Sequence, residues 1–329
     1  MKRLFLFTIA FLFAFCINTK AQTKIFRGSI GGKSIEMKLT RNGNELSGTY
    51  AYDSVGKDLT VKGSAGPGNN VTLKEFDPTG KQTGTFEGEY KIEDPNEGVF
   101  VFTGNWKSPR SKTDSYFYLS EQAIEFTNGL RIAPKLIIEK RFGISVAYPQ
   151  LVGNNSPAVQ AFNRRVASEI LKAVNDFKSE PPEDGRGYYE TNYNVLLATD
   201  NYISVEINAD VYSGGAHPNV DHYAFTYDLK KGRELKLADL FKPNGNYEEV
   251  LFDAAYKKLQ ERLRRDGEDP DTLPREELGS LSTWGMTRRG IVLTFDFPHV
   301  IEGLARNFVP YGDVKSILNS TGPAANLRR

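Results

Sequence analysis

The densest set of chemically competent side chains in the 329-residue sequence lies between positions 210 and 222. Asp210, His217, Asp221 and His222 are residue types that ligate zinc, and a hydrolytic zinc site would need such a set with one coordination position left open. The spacing argues against it. His217 and His222 are five apart in a segment that reads as a loop running into a strand, not as a helix presenting ligands at intervals of four. Strand alternation would also send Asp221 and His222 to opposite faces. Ser213 with His217 nearby suggests a nucleophile and its base, but Ser213-Gly214-Gly215 is not flanked as a Gly-x-Ser-x-Gly elbow would be. Gly214 and Gly215 instead point to positive φ angles or close backbone approach. Ser213, Gly214, Gly215, His217 and Asn219 therefore form a candidate binding loop, with His217 hydrogen-bonding inside a tight glycine turn. His299, after Pro298, reads as a loop residue. The expectation is a non-catalytic protein with no cofactor and no bound metal. A metal-dependent or serine-type hydrolase centred on the His217 loop is the alternative.

The elements around that loop read as mixed helix and strand. Ile137 to Tyr148 reads as one strand ending at Pro149. Ser156-Pro157 is an N-cap followed by proline at the first helical position, where the missing N–H costs nothing. Val159, Phe162, Val166, Ile170, Val174 and Phe177 then recur at three or four, one buried stripe on a helix of about twenty residues that Pro181-Pro182 stops. Tyr193 to Ala198 and Tyr202 to Val211 read as a hairpin around Thr199-Asp200-Asn201, and Tyr223, Phe225, Tyr227 and Leu229 share a face of the next strand. Asn246 can cap a second helix running to about Arg265, with Glu248 and Glu249 in its first turn and Arg262, Arg264 and Arg265 in its last, matching the macrodipole. Ile291, Leu293, Phe295 and Phe297 form a last core strand. The polar runs Ser179–Gly187, ending in Tyr188-Tyr189, and Asp266–Pro274 are connections that also offer contact surfaces.

Upstream of this lies a different texture. Residues 24 to about 120 carry no helical period. Runs such as Ile35-Glu36-Met37-Lys38-Leu39 and Val71-Thr72-Leu73-Lys74 alternate at period two, as half-buried strands do, and Asn42-Gly43 and Asp77-Pro78-Thr79-Gly80 mark turns between them. Glycine recurs beside aromatics (Gly48-Thr49-Tyr50, Phe86-Glu87-Gly88, Gly104-Asn105-Trp106), which fits a strongly twisted sheet of six to eight strands. Tyr50, Tyr52, Phe86, Tyr90, Trp106, Tyr116 and Tyr118 either stack on sugar rings or fill and cap a barrel. The reading is α+β: a small antiparallel β meander or barrel over 22–122, a linker over 123–135, a two-layer domain of antiparallel sheet and two main helices over 136–319, and a frayed tail over 320–329.

The N-terminus reads as an address. Lys2 and Arg3 precede an apolar run from Leu4 to Ile17, too short for the ~20 residues of a spanning helix, and Thr19-Lys20-Ala21 supplies small residues before a cut ahead of Gln22. Residues 1–21 are thus expected to be a signal peptide that carries Cys16 away, since Phe15 stands where lipid attachment needs a small residue. Export to the periplasm or the exterior follows. Without Lys2, Arg3 and Lys20 the chain holds 39 basic and 41 acidic residues, a formal charge of −2. That balance lacks the basic excess of a nucleic-acid protein, and no later stretch approaches membrane length.

Tyr212-Ser213-Gly214-Gly215-Ala216-His217-Pro218-Asn219, with Leu237-Ala238-Asp239-Leu240-Phe241 and Phe308-Val309-Pro310-Tyr311-Gly312-Asp313-Val314 downstream and Tyr148-Pro149 and Phe162-Asn163 upstream, resembles a known module. The likeness is to the paired domains of unknown function in the extracellular part of the lysozyme-sensing anti-sigma factor RsiV, which also accompany the deacetylase domain of PdaC. It spans about residues 135–320 and leaves the β domain outside. The resemblance implies an envelope-facing, non-catalytic module whose partners would be lysozyme or peptidoglycan fragments.

Overall fold

A computed structural model describes residues 21–180, 186–243, 245–297 and 303–327. The expected signal peptide with Cys16, the prolines after the first helix, part of the Ser179–Gly187 run, and His299 lie outside the described residues.

Eight strands build the first unit: β1 (Gln22–Ile30), β2 (Lys33–Asn42), β3 (Glu45–Tyr52), β4 (Leu59–Ala65), β5 (Asn70–Phe76), β6 (Gln82–Ile92), β7 (Phe100–Lys107) and β8 (Ser115–Glu121). Each pairs antiparallel with the next, and β8 returns to β1, so the barrel is closed and has no edge. Alternation fills it: Ile35, Met37 and Leu39 point inward from β2, as do Val71 and Leu73 from β5. The glycines are there because strands approach closely at the twist. A Cβ on Gly48 would sit 1.9 Å from the Lys38 carbonyl oxygen, and one on Gly63 1.9 Å from that of Thr72. The aromatics do not assemble a platform. Tyr50 and Phe86 lie in the barrel core, and the Tyr50 hydroxyl and Trp106 indole both donate to buried Glu75, at 2.6 and 2.7 Å. Tyr116 alone of the seven stands well out, 60% exposed.

The second unit differs from the single antiparallel sheet expected. Strands β9 (Arg131–Glu139), β10 (Ile144–Val152), β11 (Tyr188–Ala198), β12 (Tyr202–Tyr212), β13 (Asn219–Asp228) and β14 (Arg233–Glu234) form one sheet in the order β14-β13-β12-β11-β10-β9. It is mixed, because β10 and β11 run parallel across the helix between them. A separate three-stranded sheet holds β15 (Leu281–Met286), β16 (Gly290–Phe295) and β17 (Arg306–Pro310). The one strand expected over 137–148 is two, turning at Gly143 with φ +66°. Pro149 does not end β10 but faces Pro134 within the β9–β10 pair.

Helix α1 (Pro157–Ser179) buries the six stripe residues and no others, and packs them on the six-stranded sheet. Ser156 Oγ accepts the Val159 N–H at 3.3 Å, the expected cap. Helix α2 (Tyr247–Asp266) packs Leu251, Ala255, Leu259 and Leu263 with the three-stranded sheet. Asn246 stands at its start but does not cap it; its amide meets the Glu249 carboxylate instead. The tail is not frayed as far as it is described: α3 (Pro323–Asn326) follows, with Ala324 in the α2 core.

The stretch expected to be a linker is stitched into the sheet. Ala123 N–H donates to the Val195 carbonyl at 3.1 Å, Ala198 N–H to the Ala123 carbonyl at 2.8 Å and Glu125 N–H to the Ala198 carbonyl at 2.7 Å. Buried Arg27 of β1 lays its guanidinium 3.8 Å over the Tyr193 ring of β11 and pairs with Asp53 and Glu36. Barrel and sheet are therefore joined by backbone bonds and by buried charge.

Candidate functional site

The register of β11, β12 and β13 decides what shares a face. Tyr188 stands opposite Tyr212, Glu190 opposite Asp210, Asn192 opposite Asn208 and Asn194 opposite Glu206. On the other side Asn208 faces His222 and Asp210 faces Val220. Directly opposed residues project to the same side of a sheet. Their odd-numbered neighbours, Tyr193, Val195, Ile203, Val205 and Ile207, pack on α1. The even positions thus make a polar face turned away from α1.

Contacts on this face are specific. The Tyr188 and Tyr212 rings stack, with centroids 6.0 Å apart and planes 29° apart. Tyr188 Oη donates to Asp210 Oδ1 at 3.3 Å, and the His222 Nδ1 lies 2.8 Å from Asn208 Oδ1. Burial, and then the Asp210 carboxylate beside it, raise the Glu190 pKa above its ordinary value. A concavity of about 400 Å³ adjoins His222, walled by Ser282 and Phe295 of the three-stranded sheet and by Phe297 just beyond it. Two stacked phenols, two neighbouring carboxylates and two amides offer an apolar ring face, acceptor-only oxygens and groups that both donate and accept.

The glycine loop borders this face. Ser213, Gly214, Gly215, Ala216, His217 and Asn219 are all exposed. Gly214 and Gly215 take φ of +102° and +105°, the positive angles expected of them. Tyr212 Oη donates to the Gly215 carbonyl at 3.0 Å and so ties the loop to the stacked pair. The His217 Nδ1 lies 3.0 Å from the Pro218 carbonyl oxygen, a contact within the turn.

The alternative zinc set is not brought together. Asp210 and His222 lie on the polar face, Asp221 projects to the opposite one, and His217 sits in the loop. Among the described residues no three His, Cys, Asp or Glu side chains are placed to hold a metal ion. Tyr188, Asp210 and the loop were visible in the sequence one by one. Glu190, Asn192 and Asn208 belong to no motif, although a signal is there: Tyr188, Glu190, Asn192, Asn194 and Glu206, Asn208, Asp210, Tyr212 repeat at period two.

Comparison with known proteins falls on the same region. Residues 139–220, from the end of β9 through α1, β11 and β12 to the start of β13, match the family model described as Deacetylase PdaC. Over 170 residues the chain is 26% identical to the peptidoglycan-N-acetylmuramic acid deacetylase PdaC of Bacillus subtilis. That alignment takes in 50% of this chain and 36% of the relative, so the chain spans little more than a third of the protein it matches. Two crystal structures of DUF3298 family proteins are also similar. The one from Bacteroides fragilis has a TM-score of 0.42 at 15% identity and covers 60% of this chain and 96% of its own. The one from Pseudomonas aeruginosa has a TM-score of 0.44 at 15% identity and covers 58% and 94%. The family match and the curated relative bear out the resemblance to PdaC. Among the described residues no helix is long and apolar enough to cross a membrane.

Proposed function

We propose that this chain is an exported, non-catalytic protein of the cell envelope that binds cell-wall glycan on the polar face of its mixed sheet. The observation that carries the reading is the juxtaposition of the Tyr188–Tyr212 stack with Glu190, Asp210, Asn192 and Asn208. A sugar ring has an apolar face of C–H groups and a rim of hydroxyls. The tyrosines suit the first; carboxylates that only accept, and amides that do both, suit the second. The similar module in PdaC belongs to a protein named for action on N-acetylmuramic acid of peptidoglycan, which supports a wall glycan over other sugars. The Ser213–Asn219 loop then acts as a rim beside the bound chain, not as a seat for a catalyst.

Sedimentation of the purified protein with insoluble peptidoglycan tests this. Saturable binding is expected, weakened about tenfold (~1.4 kcal/mol) by Tyr212→Ala, the loss of one stacking surface. Binding to c-type lysozyme with none to peptidoglycan would replace the glycan by a glycan-acting protein as the partner. Release of reducing sugar that Glu190→Gln abolishes would overturn the non-catalytic reading.

A further inference from the structure

The polar face is closed at one end. Glu206 lies six residues along β12 from Tyr212, about 20 Å at the rise of an extended strand. Its carboxylate accepts from Asn194 Nδ2 at 3.2 Å and from Arg306 Nε at 3.2 Å. The two terminal nitrogens of Arg306 donate to Glu97, each at 2.8 Å. Glu97 comes from the connection between β6 and β7 of the barrel and is 9% exposed, as is Glu206. Buried Gln122, at the barrel's exit, adds a bond from its Nε2 to Asn194 Oδ1 at 3.3 Å. Barrel, junction and second sheet thus meet in one wall across the face.

Among the described residues no such wall stands at the other end. Beyond Tyr188 and Tyr212 lies the exposed glycine loop. A ligand lying along the strands meets no ion-paired wall past the tyrosines among the described residues. To leave past Glu206 it would have to break charge-assisted bonds to desolvated carboxylates, which only their present partners compensate.

We infer that the face receives the terminus of a glycan chain and not its interior. This rests on the glycan reading above. The barrel, which lies outside the matched region, acquires a role: it supplies Glu97 and Gln122 to the end wall and so turns an open strip into a blind groove. A strip open at both ends would take any stretch of a long polymer, whereas a blind one takes each chain once.

The test is binding stoichiometry. One preparation of insoluble peptidoglycan is divided, part is nicked with a muramidase that is then removed, and reducing ends are counted in both. Bound protein at saturation, per unit mass, is measured for each. The inference predicts that saturation rises by the same factor as the number of ends. Saturation that follows mass, unchanged by nicking, would overturn it while leaving glycan binding intact. Absence of saturable binding to both samples would overturn the glycan reading itself.

Discussion

Arg306→Ala is the substitution whose cost follows most directly from the structure. The Arg306 side chain answers two carboxylates, Glu97 at 7% side-chain exposure and Glu206 at 11%. Removing it leaves two like charges close together in a poorly solvated seam. Breaking a buried pair in this way costs about 3–5 kcal/mol. The Arg306 side chain is 38% exposed, so water can reach the seam, which brings the expected loss to about 2–3 kcal/mol. The assay is guanidinium-chloride unfolding of wild type, Arg306→Ala, Glu97→Gln and the double variant. Neutralising Glu97 removes one stranded charge, so the double variant should lose less than the sum of the single losses, with a coupling of about 1–2 kcal/mol. The reasoning fails if Arg306→Ala costs under about 0.5 kcal/mol, the range of an ordinary surface change, or if the two substitutions simply add.

Other consequences can be checked in parallel. Ser156→Ala should destabilise the protein by about 1 kcal/mol through loss of the α1 cap, measured as a shift of the denaturation midpoint. Gly48→Val should prevent barrel closure, seen as loss of the near-ultraviolet aromatic signal, because even a Cβ there meets the Lys38 carbonyl at 1.9 Å. Glu190→Gln should raise the melting temperature at neutral pH and not at pH 3. The native pKa of Glu190 is raised above 4.5, so the protonated form is favoured in the fold; its contribution is present in acid and lost as pH rises through the native value. A destabilised Glu190→Gln at neutral pH would refute that assignment.

Local chemistry made some of this architecture legible in the sequence. The stripe Val159, Phe162, Val166, Ile170, Val174 and Phe177 names the buried face of α1 completely, because helix period and burial coincide there. Alternation in Ile35-Glu36-Met37-Lys38-Leu39 likewise marks a barrel strand. The break between β9 and β10 has only a weak local signal, the charged Glu139-Lys140-Arg141 and then Gly143, set between the apolar Ile137-Ile138 and Ile144 to Tyr148. The polar face needed cross-strand register, which period-two patterning implies but does not align. The end wall was least accessible of all, since Arg306 and Glu97 are 209 residues apart and nothing local in either segment refers to the other.

Hydrogen exchange of the protein with and without soluble peptidoglycan fragments tests the central claim most directly. The account predicts saturable slowing of exchange confined to Tyr188–Asn194, Glu206–Tyr212 and the Ser213–Asn219 loop, and its loss in a Tyr188→Ala/Tyr212→Ala variant that retains the wild-type melting profile. Protection that falls instead on the outer surface of the barrel, or binding that the double variant keeps undiminished, would contradict it.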